Sequence, residues 1–447
     1  MADDKFHDLD VVPSNERRGP LIMGLIWLSM VTGSPSVLAG FSWHAAGISL
    51  WQVIICTVTS CLILLIYSIP ATDLGAKSGQ SYSMLCQSAF GRLGSYLVRF
   101  NLLWIFLFWY GWIALFVGNS MKGLYGLGLP TAFWGALFAI LMAAPNFFGF
   151  SGLANVSRYL SAPVLITWVL FCFFKAINST SVDVLSLAPH LEFNSAMTTI
   201  SAFVIGFAIW GNEPDYWRYS KPNRFNSGAA IFIALLIGQV TFPITGWLLG
   251  HMSGIGESAA AFKFLNQYSL AAIPFLAVIV LLADNVAAND SNLFGLIVAL
   301  RSLRSMSHKT AVFVLAVDGA LVAACLAGDG VSRSLQSVAS LNSVFVPTPT
   351  VIMLAEWFLT RRRPFFTNIV PFKQLPFVRW PALIALLAGC AVGALTSGVI
   401  PGTEPWHVGI CSIQAWLTAL VIYVPLRLTE LAKKKEPAFE QATEPLD

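Results

Sequence analysis

The chain has 447 residues, of which 56% are hydrophobic and only 11% charged, with a mean hydropathy of +0.71 and a formal net charge of +4. Soluble domains carry about 25% charged residues, so the composition excludes an ordinary soluble protein and points to a polytopic membrane protein. The modest positive charge comes from loops and gives no reason to expect a nucleic-acid partner.

Residues 1–19 are polar, lack the apolar core of a signal peptide and read as a solvated tail. Apolar runs of roughly 20 residues then predict twelve spans, near 20–42, 49–70, 95–122, 131–149, 157–177, 197–219, 228–252, 271–299, 310–327, 334–359, 380–400 and 406–426. Placed on this alternation, 22 of the 26 Lys and Arg residues fall on the side of the N-terminus and only Lys122, Lys175, Lys263 and Arg333 on the other. That bias puts both termini in the cytoplasm, in a cell membrane crossed an even number of times. The seven cysteines form neither a CxxC pair nor a metal-ligand spacing, so they read as small apolar residues. The stretch 427–447 is a short charged tail.

Two spans are interrupted. Gly33-Ser34-Pro35-Ser36 breaks span 1, and Trp210-Gly211-Asn212-Glu213-Pro214 breaks span 6. A broken helix at membrane depth is tolerated only where it lines a cavity or packs in protein. Matching breaks in two halves of a chain point to a transporter's binding site. With no short repeat visible, the breaks suggest a five-plus-five inverted repeat: residues 20–177 form the first, 197–359 the second, and 380–426 two appended spans. The alternative is that Gly and Pro are simply frequent in membrane helices.

Several local patterns resemble the nucleobase:cation symporter-1 family, and within it the cytosine permeases. They are Arg17-Arg18-Gly19 before span 1, Gly75-Ala76-Lys77-Ser78-Gly79 with Ala89-Phe90-Gly91 and Gly94-Ser95 before span 3, and Trp109-Tyr110-Gly111-Trp112 within it. Further along come Asp215-Tyr216-Trp217-Arg218-Tyr219, Ala288-Asn289-Asp290 with Leu293, and Ala355-Glu356-Trp357 leading to Arg361-Arg362-Arg363. The resemblance implies an all-α membrane protein with a LeuT-like fold, and cation-coupled uptake of a purine, pyrimidine or related heterocycle.

A flat ring needs aromatic faces and a few groups for its polar edge. By resemblance, Trp112 stacks on one face, Phe207 covers the other with Trp210 as an alternative, and Asn289 bonds the ring edge. Backbone freed by the breaks at Gly33, Ser34 and Gly206 could add contacts. With 15 tryptophans in the chain, most are expected to face lipid or the interfaces, and Trp104 and Phe108 read as packing residues. Trp109 stands where the family often has a substrate-contacting Gln. That departure puts cytosine itself in doubt and favours another or larger heterocycle.

Sodium-coupled relatives place a hydroxyl pair where this chain has Ala287 and Ala288, and a methyl cannot ligate Na⁺. One turn earlier stands Asp284, an intramembrane acid and so a functional candidate. Proton coupling is therefore expected, with Asp284 as the protonation site near the backbone of Ser29 and Thr32; Na⁺ ligation by Asp284 is the alternative. Asp318 reads as structural or auxiliary. Glu213 could line the inner pathway or carry a second proton. Asp215 with Arg218 reads as an end-of-helix pair at the cytoplasmic surface, and Glu356 with Arg361–Arg363 as an interfacial anchor.

One charge moved across about 150 mV supplies roughly 3.5 kcal/mol, enough for accumulation of a few hundred-fold. No phosphate-binding GxxxxGK[ST] loop, nucleophile elbow or metal cluster is present, so neither a cofactor nor a metal is expected. That disfavours a membrane-embedded enzyme, and the absence of a filter repeat disfavours a channel. A nutrient sensor on a transporter fold would need a soluble signalling domain, which the chain does not show. The reading is a secondary-active importer in which spans 1, 2, 6 and 7 rock against 3, 4, 8 and 9. The oligomeric state is open.

Overall fold

A computed structural model describes residues 10–256, 258–328, 331–360 and 372–433. The Arg361–Arg363 run, residues 1–9 and the tail beyond 433 lie outside the described residues. The chain order is α1 (Pro20–Val31), α2 (Ser34–Ala45), α3 (Leu50–Ser78), α4 (Tyr82–Tyr125), α5 (Thr131–Leu141), α6 (Gly149–Val156), α7 (Ala162–Ser179), α8 (Phe193–Ala208) and α9 (Glu213–Trp217). It continues with α10 (Arg224–Leu235), α11 (Phe242–Ser253), α12 (Ser258–Ser269), α13 (Pro274–Leu303), α14 (His308–Leu326), α15 (Val331–Phe345), α16 (Pro347–Thr360), α17 (Trp380–Thr396) and α18 (Cys411–Lys433). Among the described residues the only β-type pairing is an isolated bridge between Arg18 and Ser220.

Among the described residues, nine helical runs are long and apolar enough to cross a membrane, and α1 with α2, bent by 41°, makes a tenth. The helix α17 is apolar but shorter. Residues 131–149 and 157–177, read from the sequence as separate spans, follow one another as α5, a 3-10 turn, α6, a π-type turn at 157–161 and α7. The run of 49 residues is more than twice what one crossing of about 20 residues requires.

Two packing groups surround the breaks. In one, α1 lies on α10, α2 on α11 and α3 on α8; in the other, α4 packs on α5, α13 and α14. The helix α15 lies against α8, and α17 pairs with α18. Entry to the third span is kinked at Gly91, whose φ of +78° only glycine adopts easily. There Arg92 and Leu93 donate their N–H groups to Pro376 and Phe377, while Phe90 accepts from Arg379.

Nine of the fifteen tryptophans, including Trp109, Trp112 and Trp210, are buried. This corrects the expectation that most face lipid: so many close helix crossings leave large flat side chains inside the bundle. Trp104 is half-buried, packed edge-on between Phe108 and Phe345.

Candidate functional site

Breaking a helix frees backbone groups that must find partners. In span 1, α1 stops at Val31 and α2 starts at Ser34, with Pro35 and Ser36 in the first turn of α2. Gln239, in the π-type stretch Leu236–Thr241, donates from Nε2 to Val31 O at 2.6 Å. The new N-terminus is closed from α13. Asp284 Oδ2 accepts from both Ser34 N and Ser34 Oγ, at 2.5 Å each, and from Asn285 Nδ2 at 3.2 Å. A carboxylate here also meets the positive end of the α2 dipole. Asp284 is almost fully buried, and its Oδ1 has no hydrogen-bond partner.

Asp284, expected near the backbone of Ser29 and Thr32, makes its contacts with span 1 at Gly33 and Ser34. Ser29 Oγ lies 2.8 Å from both Ile26 O and Ser157 Oγ, and Thr32 donates to Leu28 O. Both hydroxyls serve their own helix or its neighbour, because a hydroxyl inside a helix readily bonds back to the preceding turn. Ser34 spends its N–H and hydroxyl on Asp284 and has neither left for a substrate.

In span 6, α8 stops at Ala208 and α9 starts at Glu213. Asn342 of α15 donates from Nδ2 to Gly206 O at 2.6 Å and to Ile209 O at 3.1 Å. Thr350 donates to Gly211 O. Glu213 Oε1 accepts from Trp210 N and Gly211 N, both at 3.1 Å, and its Oε2 accepts from Tyr67 Oη at 2.8 Å. The Gly206 carbonyl, expected to be open to substrate, is therefore occupied. Gly206 also lies so close to α15 that a Cβ would fall 1.9 Å from Ala339 O. Glu213 closes the break.

Between the two breaks is a pocket lined by Met30, Phe106, Trp109, Ile113, Phe207, Ile209, Trp210, Ala288, Asn292 and Asn342. Trp109 stands edge-on to Phe207 at 5.7 Å and to Trp112 at 5.9 Å. Trp112 is one layer back, stacked on Phe116 at 5.6 Å. Trp210 is edge-on to Phe106 at 5.6 Å. Asn289 is not in the lining: its Nδ2 points to Met142 Sδ, 3.9 Å away, and Ala288 and Asn292 face the pocket instead. A methyl on Gly33 would fall 2.9 Å from Asp284 Oδ1 and 3.4 Å from Phe207, so Gly33 is where carboxylate and pocket wall meet.

The outlying acids resolve differently. Asp215 and Arg218 are fully buried rather than at a surface; Asp215 accepts from Tyr82 N at 2.7 Å and Asn212 Nδ2 at 2.9 Å. Glu356 is a buried ion-pair partner rather than an interfacial anchor, holding Arg427 Nη2 at 2.7 Å, Arg427 Nε at 2.9 Å and Tyr423 Oη at 2.5 Å. Asp318 is half-buried beside Gly319, which packs on Tyr110. Sequence reasoning missed Asn342, Gln239, Tyr67 and Thr350. The polar cluster Ser340-Leu341-Asn342-Ser343 within an apolar span was the available signal for the first.

A family of permeases for cytosine/purines, uracil, thiamine and allantoin matches residues 11–410. The cytosine permease of Escherichia coli (strain K12) is 24% identical over 409 residues, 90% of this chain and 92% of that protein. The purine-uracil permease NCS1 of Arabidopsis thaliana is 26% identical over 321 residues, 62% of this chain and 51% of that protein. Among solved structures, the nucleobase-cation-symport-1 family transporter Mhp1, closed with bromovinylhydantoin bound, superposes with a TM-score of 0.72. It has 20% identity and covers 96% of each chain.

Proposed function

The chain belongs to the family of permeases for cytosine/purines, uracil, thiamine and allantoin, and we propose that it is a secondary-active importer of a nucleobase or related heterocycle, driven by protons. It is a transporter and not an enzyme. The observation that carries this reading is the meeting of Asp284 with Gly33 and Ser34 at one edge of an aromatic pocket built on two helix breaks.

A flat ring seats against Trp109, Phe207 and Trp210, with Met30 and Ile113 closing its apolar sides. Ionised Asp284 is a charge-assisted acceptor for Ser34 at the α2 N-terminus. A proton taken at Oδ1 weakens that hold, releases α2 from α13 and so ties the charge state to the rocking of spans 1, 2, 6 and 7 against 3, 4, 8 and 9. In this reading the chain crosses twelve times, which the nine runs and the bent α1–α2 pair support if residues 131–179 cross twice and α17 crosses once. Residues 20–177 and 197–359 then form the two repeats. Both termini lie in the cytoplasm, consistent with the Lys and Arg bias.

A second reading is favoured by one observation. The unpartnered Asp284 Oδ1 is equally suited to ligate Na⁺, giving a sodium symporter of a hydantoin, allantoin or hydroxymethylpyrimidine. Proteoliposome uptake of radiolabelled cytosine, uracil, purines, allantoin, hydantoins and hydroxymethylpyrimidine decides, with ΔpH and Na⁺ gradients imposed separately on wild type and Asp284→Asn. Proton coupling requires uptake that follows ΔpH and is lost in the variant. Uptake that follows Na⁺ and ignores ΔpH overturns it in favour of the second reading.

A further inference from the structure

The amide of Asn342 has its two ends in different surroundings. Both Nδ2 hydrogens are engaged, on Gly206 O at 2.6 Å and Ile209 O at 3.1 Å. Two carbonyls can be met only by the nitrogen, which fixes the amide's orientation. The other end, Oδ1, is buried and has no hydrogen-bond partner, although Asn342 lines the pocket beside Trp109, Phe207 and Trp210. An unmet acceptor in a low-dielectric interior is costly to leave alone and strong when met.

We propose that Asn342 reads the hydrogen-bonding edge of the substrate, its Oδ1 accepting an N–H from the ring or from an exocyclic amine. This rests on the heterocycle reading of the pocket and narrows it. The substrate class is a planar heterocycle that presents an N–H next to its stacking faces, such as a lactam, an imide or an aminopyrimidine. A ring offering a carbonyl or an N-methyl group at that edge leaves Oδ1 unpaired and is rejected, because sites built to bond a donor discriminate strongly against analogues that lack it. The same side chain holds the carbonyls at the end of α8, so a ligand bonded to Oδ1 is bonded to the group that fixes the span 6 break.

The test uses the full chain in proteoliposomes. Uptake of radiolabelled uracil and hydantoin is competed by the parent compounds and by their N1-methyl and N3-methyl derivatives, in wild type and Asn342→Ala. The expected wild type rejects at least one mono-methyl isomer by roughly tenfold or more relative to its parent. In Asn342→Ala the parent weakens by a similar factor and that isomer does not, so the discrimination falls toward one. A purely structural role weakens parent and analogue together, and that outcome overturns the proposal. If Asn342→Ala does not fold, wild type still decides, because equal affinity for every N-methyl isomer overturns the proposal as well. Absence of any heterocycle uptake sinks the transport reading itself. Uptake without preference for the N–H sinks only the role of Asn342.

Discussion

Asp284 Oδ2 accepts from both the backbone N–H and the hydroxyl of Ser34, at 2.5 Å each, so one carboxylate on α13 closes the N-terminus of α2. This contact ties the unbroken helix of span 8 to the second half of span 1. It gives Asp284 a structural duty in addition to any ion it carries.

Ser34→Ala removes the hydroxyl and leaves the N–H, so the hold is weakened rather than lost. A hydrogen bond to a charged group contributes about 1.5–3 kcal/mol. The expected result is a folded protein with a lower unfolding temperature and an altered dependence of uptake on the driving gradient. Thermal unfolding and uptake at graded ΔpH check it; an unchanged gradient dependence argues against coupling through this contact.

Glu213 accepts from Trp210 N, Gly211 N and Tyr67 Oη. Glu213→Gln keeps one carbonyl oxygen and brings two unwanted hydrogens, which costs about 1–3 kcal/mol of stability. The pH dependence of uptake is expected to persist in the variant. Its loss, in protein that still folds, would show Glu213 to be a proton site after all.

Gly206→Ala forces a methyl to 1.9 Å from Ala339 O, with backbone on both sides. Neither backbone can yield as a flexible side chain would, so the variant is expected to lose its monodisperse folded peak on size-exclusion chromatography. Gly123→Ala is the control: nothing lies within 4 Å of its Cβ position, and alanine suits a helix better.

Trp109 lines the pocket, whereas Trp112 is stacked behind it on Phe116. Trp109→Ala is expected to raise the KM for transported substrate by about tenfold or more, as truncating a buried aromatic anchor does. Trp112→Phe preserves the stack and is expected to stay within a few-fold of wild type. The reverse order would return the stacking role to Trp112.

Glu356 and Arg427 form a bidentate pair, almost wholly buried between α16 and α18. Removing Arg427 strands the Glu356 charge and costs about 3–5 kcal/mol, whereas removing Glu356 leaves Arg427 with Glu430, 3.0 Å away, and is expected to cost less. Replacing both, as Glu356→Leu with Arg427→Met, is expected to recover most of that. Unfolding midpoints of the two single variants and the double variant provide the check, and strictly additive losses would contradict it.

Much of the architecture follows from local chemistry. Long apolar runs become helices because only an internally bonded backbone survives in lipid. Gly33, Pro35, Gly211 and Pro214 interrupt two of them through properties that need no tertiary partner. Asp284 also stands out unaided, since an acid within an apolar span is rare. Partners are a different matter. The first half of span 1 is apolar on all sides, so its pattern does not say which face meets which neighbour. A residue's neighbour in sequence is about 100° away around the helix. That rotation is why Asn289 faces Met142 while Ala288 and Asn292 line the pocket, and why Asp284 meets Ser34 at the start of α2. The helical spans, their two breaks and the intramembrane acid were determined by the sequence alone. Which side chains close each break, and that Asn342 lines the pocket with its Oδ1 unpartnered, was decided only by tertiary packing, because it alone sets the rotation of one helix against another.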